Sequence, residues 1–142
     1  LLRAKRSALA QRLRAPLQKH LSHYLHILFP GAQVEVGDDL APGRITRTGP
    51  HGAEAGALQE LSVGAREQMG VVARFAYADL LKEAGKPTLL ILDDALVHTD
   101  ADRLAQMKRV LYDAATRHQI LLFSCHPGAW RDLGVAARTL GP

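Results

Sequence analysis

Leucines at positions 9, 13, 17, 21 and 25, followed by Leu28, recur at helical spacing and predict a helix that stops at Pro30-Gly31. Pro16 falls inside this pattern, where it removes a backbone donor and crowds the preceding turn, so a kink or a division into two helices is expected. Residues 33–36 and 44–48 alternate weakly between Gly, Pro and Asp boundaries and predict a short, partly exposed antiparallel hairpin. Residues 49–56, with Gly, Pro, His and Ala, predict a mobile loop, and Leu58 resumes order. Ser62 then precedes an apolar pattern at Met69, Val72, Phe75, Ala76 and Leu80, which predicts an N-capped, largely buried helix over 66–81.

Residues 88–92 and 120–123 are short aliphatic runs of the kind found in parallel strands covered on both faces. Between them Leu104, Met107, Leu111 and Ala114 form a helical stripe, with Thr99 and Asp102 at capping-box spacing ahead of it. Strand, helix and strand make a βαβ unit, which gathers ligand chemistry at the C-terminal ends of its strands. The expected fold class is therefore α/β with a parallel βαβ core, preceded by a basic helix and a small β-hairpin.

A chain of 142 residues with 47% hydrophobic content suits one packed domain. Its formal net charge of +4 is unevenly placed, because Arg3, Lys5, Arg6, Arg12, Arg14 and Lys19 all precede Glu35, the first acidic residue. Such a helix can meet nucleic-acid phosphates, although a solvated face accounts for the same charges. A single cysteine excludes an internal disulfide framework, and no apolar run approaches membrane-span length. With no signal-peptide pattern, the expectation is a cytoplasmic protein, nucleoid-associated if it binds DNA, and no membrane partner.

Asp93 and Asp94 close the first aliphatic run. A carboxylate at the end of a buried strand is costly unless it is paired, and a hydrated Mg²⁺ bridging phosphate oxygens resolves that cost. Asp94 points away from Asp93 and can reach an attacking water; the alternative is that both carboxylates cap the following helix or pair with Arg. Ser62 and Gly64 lie where a helix begins, so free N–H groups and the helix dipole favour an anion there, with the hydroxyl as a further donor. An ordinary N-cap has the same appearance in isolation. His126 follows the second run and precedes Pro127-Gly128, which places it at a strand tip, able to sense a phosphate or position water. Cys125 reads as a core residue rather than a nucleophile, for want of an evident base. His20, His23 and His26 drift around their helix without an accompanying acid or Cys, so a partly buried face is expected there rather than a metal site.

In this order and at these separations, the chain resembles the C-terminal lobe of ABC-type P-loop NTPase heads, particularly the SMC-like coiled-coil DNA-repair ATPases of the RecF-, SbcC- and YhaN-like group. Residues 61–68 resemble the ABC signature, 89–94 the Walker B strand, 97–100 the D-loop and 124–126 the switch-histidine loop. The resemblance implies two heads that sandwich ATP and Mg²⁺. Ser62, Val63, Gly64 and Ala65 would contact nucleotide in trans, and Asp93 would hold Mg²⁺ through water. Asp94 would orient or activate the hydrolytic water, Asp100 would cross the dimer interface, and His126 would contact the γ-phosphate. Residues 1–29 would be the end of a coiled-coil arm and 30–142 the C-terminal lobe.

A Walker A loop is missing. The nearest approach, Gly85-Lys86-Pro87-Thr88, has Leu80 where the first glycine should stand, and Pro87 lacks an N–H. The implied partners are therefore a Walker A-bearing N-terminal lobe of the same protein, a second head forming a homodimer, DNA, and a nuclease as a further candidate. Val63 replaces the usual second glycine of the signature, Ala65 the usual Gln or Glu, and Asp94 the usual catalytic Glu. These departures leave two alternatives to an ATPase acting on DNA: a non-catalytic ATP-gated clamp, and a DNA- or protein-binding module without nucleotide chemistry.

Overall fold

A computed structural model describes residues 2–49, 52–57 and 62–141. The predicted Leu58 restart and Leu61, the first residue of the signature-like segment, lie outside the described residues.

The chain opens with α1 (Leu2–Leu28), which contains Pro16 yet runs unbroken, so the expected division into two helices is not found. Burial along α1 begins at Leu17, immediately after the proline, and Leu17, Leu21, Tyr24, Leu25 and Leu28 all face the core. The turns before Pro16 lie on the surface, which is why losing one backbone bond there is tolerated.

Next come β1 (Gln33–Val36), β2 (Pro42–Gly49) and β3 (Gly52–Ala57). They form an antiparallel sheet in the order β1-β2-β3. The predicted hairpin is present, and the predicted loop at 49–56 is corrected: β3 pairs with β2 from Arg44 opposite Ala57 to Gly49 opposite Gly52. Gly and Ala carry little side-chain signal, so backbone pairing, rather than hydrophobic alternation, makes this strand.

The helix α2 (Val63–Glu83) follows, and its N-cap is Ser62. It buries Met69, Val72, Phe75 and Ala76 in the core, with the Phe75 ring tilted on that of Tyr24 from α1 at 5.7 Å between centroids. The βαβ unit consists of β4 (Leu90–Asp93), α3 (Ala101–Ala115) and β5 (Ile120–Phe123), and β4 and β5 pair in parallel with Leu90 opposite Ile120. Met107, Val110, Leu111 and Ala114 of α3 join the same core. Asp100, rather than Thr99, caps α3, its Oδ1 accepting from the Arg103 N–H at 2.9 Å. A 3-10 segment, Pro127–Leu133, packs beyond β5.

Among the described residues the parallel strands are covered on one face only, which corrects the expectation of two. Leu90 and Leu92 are buried, whereas Leu89, Ile91, Leu121 and Phe123 remain 36–51% exposed. Ile91 pairs with Leu121 and Asp93 with Phe123, so this apolar stripe and Asp93 share the open face.

Asp79 on α2 is 5% exposed and sits among three basic side chains. His118 Nε2 donates to its Oδ1, Arg117 Nε lies 3.5 Å from Oδ1, and His20 Nδ1 lies 3.4 Å from Oδ2. Arg117 also donates to the Tyr24 hydroxyl at 2.8 Å and to Asp113. Burial would lower the Arg117 pKa, but the hydrogen bonds to Asp113 and Tyr24 override it and raise the pKa above its ordinary value. Three elements thus converge on one carboxylate. Asp79→Ala leaves His118 and Arg117 without that acceptor, and we expect it to cost about 3 kcal/mol, read as a lower urea midpoint of the intact head. An unchanged midpoint would contradict the pairing.

Candidate nucleotide site

The strand ends bring the first group of predicted residues together. Asp93 ends β4 on the open face, exposed rather than buried, so the burial cost expected for its carboxylate does not arise within this chain. Among the described residues no side chain pairs with it. An exposed, unpaired carboxylate suits a hydrated divalent cation, which takes one or two such ligands and keeps most of its waters.

The chain then turns sharply through Asp94 (φ 45°) and Leu96 (φ 67°), left-handed values that cost energy in non-glycine residues and persist only where the surroundings enforce them. Leu96 is held by burial. Asp94 is held by three bonds to the β5 end. Its N–H donates to the Phe123 carbonyl at 2.9 Å, its Oδ1 accepts from the Cys125 N–H at 3.0 Å, and its Oδ2 accepts from the Cys125 thiol at 3.3 Å. The Cys125 N–H and thiol bonds, with His126 nearby, hold the Asp94 carboxyl below the usual carboxylate range, so it is ionised at neutral pH and is a weak base.

Cys125 is exposed, which corrects its assignment to the core. The bond to Asp94 and the negative charge there push its thiol pKa up, so it is also a poor nucleophile. His126 heads the 3-10 segment, its N–H donating to Ser124 Oγ at 2.9 Å, and lies on the same rim as Asp93 and Asp94.

The signature-like residues form a second group, and among the described residues no hydrogen bond joins it to the strand ends. Ser62 Oγ accepts from the Ala65 N–H at 3.2 Å and from Arg103 Nη1 at 2.8 Å. Val63 is 50% exposed beside it, and Gly64 is buried. A Cβ on Gly64 would lie 3.0 Å from the His98 carbonyl oxygen and 3.0 Å from Arg103 Nη1, so the glycine lets α2 approach the D-loop-like turn closely. Glu67 secures the same contact from the next turn, accepting from the His98 N–H at 3.0 Å and pairing with His98 Nδ1 at 2.7 Å. Asp100 is 60% exposed and lies 3.7 Å from Arg103 Nε.

Sequence reasoning passed over Arg103, Glu67 and His98. Only the Asp-x-x-Arg spacing at the start of α3 hinted at the first. Of the histidines on α1, His20 faces Asp79, His23 pairs with Asp113 at 2.8 Å, and His26 Nδ1 accepts from the Gly31 N–H at 3.1 Å. Among the described residues there is no cluster of three metal-ligating side chains, and no helix is long and apolar enough to cross a membrane.

Asp94→Asn removes the charge beside Cys125 and returns its thiol toward the ordinary pKa. We expect iodoacetamide at pH 8 to alkylate Cys125 several-fold faster in that variant, and equal rates would contradict the contact.

Comparison with known proteins finds relatives at two distances. The chain is 39% identical over 102 residues to protein Rv1278 of Mycobacterium tuberculosis, covering 69% of this chain and 11% of that protein. It is 41% identical over 69 residues to protein YhaN of Bacillus subtilis, covering 48% of this chain and 7% of that protein. The chain thus spans about a tenth of the length of these relatives. No family model matches. Among solved structures, the SMC head domain from Thermotoga maritima superposes with a TM-score of 0.62 at 17% identity, over 88% of this chain and 44% of that one. An SMC ATPase studied for ATP-driven dimerization and DNA-stimulated activation also gives 0.62, at 15% identity over 84% and 73% of the two chains. The Pyrococcus furiosus Smc head domain bound to the C-terminal domain of ScpA gives 0.58, at 14% identity over 86% and 31%. The chain therefore has the α/β fold of SMC ATPase heads and is a distant homologue of the YhaN and Rv1278 proteins.

Proposed function

We propose that this chain is the C-terminal lobe of an ATP-hydrolysing, SMC-like head, and that two such heads close on ATP to act on DNA. The observation that carries this reading is the separation of two polar groups on one SMC-type fold. Asp93, Asp94 and His126 gather at the strand ends, while Ser62 caps a helix N-terminus that no hydrogen bond among the described residues joins to them.

In this reading ATP lies against the strand ends of one head and the Ser62 turn of the other. Mg²⁺, when bound, neutralises charge on the phosphates, and Asp93 is the carboxylate that would hold it through water. Asp94 orients the attacking water, and His126 faces the γ-phosphate. Asp100, exposed at the start of α3, reaches the partner head. The Ser62 hydroxyl and the α2 dipole favour the γ-phosphate, so the closed dimer is favoured before hydrolysis and not after it. The apolar stripe of Leu89, Ile91, Leu121 and Phe123 is the surface on which a Walker A-bearing lobe of the same protein would pack. The basic first turns of α1 continue into a coiled-coil arm and offer phosphate contacts to DNA; repair, recombination and phage defence all accommodate that chemistry.

One observation favours the clamp as a second reading. Both oxygens of Asp94 are engaged by Cys125, which weakens it as a base for activating water. A head of this kind would dimerise on ATP and turn over very slowly.

Turnover of ATP by the full-length protein across protein concentration separates these readings. Hydrolysis at a dimer interface makes turnover rise more than linearly with protein. Asp94→Ala should then lower it about 100-fold or more, and Ser62→Arg should abolish it. ATP-dependent dimers without phosphate release would leave the clamp, and the absence of both turnover and ATP-dependent association would refute the nucleotide site.

A further inference from the structure

We infer that Arg103 is a positioning residue of the nucleotide site: it turns the Ser62 hydroxyl into a dedicated hydrogen-bond donor and adds a positive charge where an incoming phosphate oxygen would lie. This rests on the reading of Ser62 as a γ-phosphate contact and specifies how that contact is made.

A serine hydroxyl has two lone pairs and one proton. At Ser62 both neighbours are donors, the Ala65 N–H at 3.2 Å and Arg103 Nη1 at 2.8 Å. The oxygen is thereby filled as an acceptor, and among the described residues none accepts its proton. The hydroxyl can only donate outward. The species that fits is an acceptor without protons, and with a guanidinium and a helix N-terminus beside it that acceptor is an anion, as the oxygens of a nucleoside triphosphate are.

Arg103 is held for this role by two neighbours, Asp100 and Gln68. Its N–H donates to Asp100 Oδ1 at 2.9 Å, its carbonyl accepts from the buried Gln68 side chain at 3.3 Å, and its Nε lies 3.7 Å from Asp100 Oδ2. Gly64 leaves room for the guanidinium, since a Cβ there would stand 3.0 Å from Nη1. The Arg103 side chain is still 37% exposed, so its charge is not sealed from solvent. This charge offsets what Val63 removes, because a side chain in place of the usual glycine hinders close approach of the backbone to a phosphate. It also ties Asp100 to Ser62 through one side chain.

The test is self-association of the full-length protein driven by a non-hydrolysable ATP analogue, measured by analytical ultracentrifugation. Arg103→Gln should weaken the dimer about tenfold or more, and Arg103→Lys, which keeps a charged donor, less than about threefold. Ser62→Ala added to Arg103→Gln should cost less than about twofold further, because the two residues act as one unit. The melting temperature of Arg103→Gln without nucleotide should stay within about 2 °C of the parent. A normal dimer in Arg103→Gln while Ser62→Ala weakens it overturns this inference and leaves the site reading standing. Fully additive losses, or a matching loss of thermal stability, overturn it too. No analogue-driven association in the parent protein would remove the site reading and this inference together.

Discussion

A buried carboxylate must be paired, and Asp79 meets that requirement by drawing two further elements onto its own helix. His20 comes from α1, and Arg117 and His118 from the turn between α3 and β5. Asp79 itself lies on α2, the helix whose first turn is the Ser62 site. The core is apolar and tolerant of shape, with Tyr24, Phe75, Leu21 and Met107 fully buried. Hydrophobic packing of this kind favours collapse without fixing the rotation of one helix against another. The directional bonds to Asp79 supply that register.

From that anchor the polar turns acquire fixed places. The chain leaves β4 through two left-handed residues, and the strain is balanced by Leu96 in the core and by the Cys125 bonds to Asp94. It then meets α2 at Gly64, Glu67 and Ser62, which bind the turn from His98 to Arg103 along its length. The start of α2 and the start of α3 therefore behave as one body. A contact felt at Ser62 has a short, bonded route to Asp100, and this suits a device in which two heads must recognise nucleotide and each other together.

Much of this was legible in the sequence because local signals were strong. The leucine repeat of α1, the Ser62 cap, the two aliphatic runs and the stripe of α3 all describe elements whose periodicity survives in the fold. Asp93, Asp94 and His126 could be placed at strand ends because parallel strands put their C-termini on one rim. Other features were hidden for physical reasons. β3 is built of Gly, Ala and one Glu and is held by backbone pairing, which leaves no side-chain pattern to read. The aliphatic runs looked doubly covered since their composition suits two buried faces, yet the described residues supply a layer for only one. Asp79 with His118, Ser62 with Arg103, and Glu67 with His98 join residues more than thirty positions apart, and charge pairs at that separation have no periodicity.

The central claim is that the Ser62 turn of one head closes on nucleotide held at the strand ends of another. A cryo-EM structure of the full-length protein carrying Asp94→Asn, vitrified with ATP and Mg²⁺, tests it most directly. The account predicts paired heads with the Ser62 hydroxyl within about 3 Å of a γ-phosphate oxygen bound to the opposite head. Nucleotide-loaded heads that leave Ser62 in solvent, or that meet through a different surface, would contradict it.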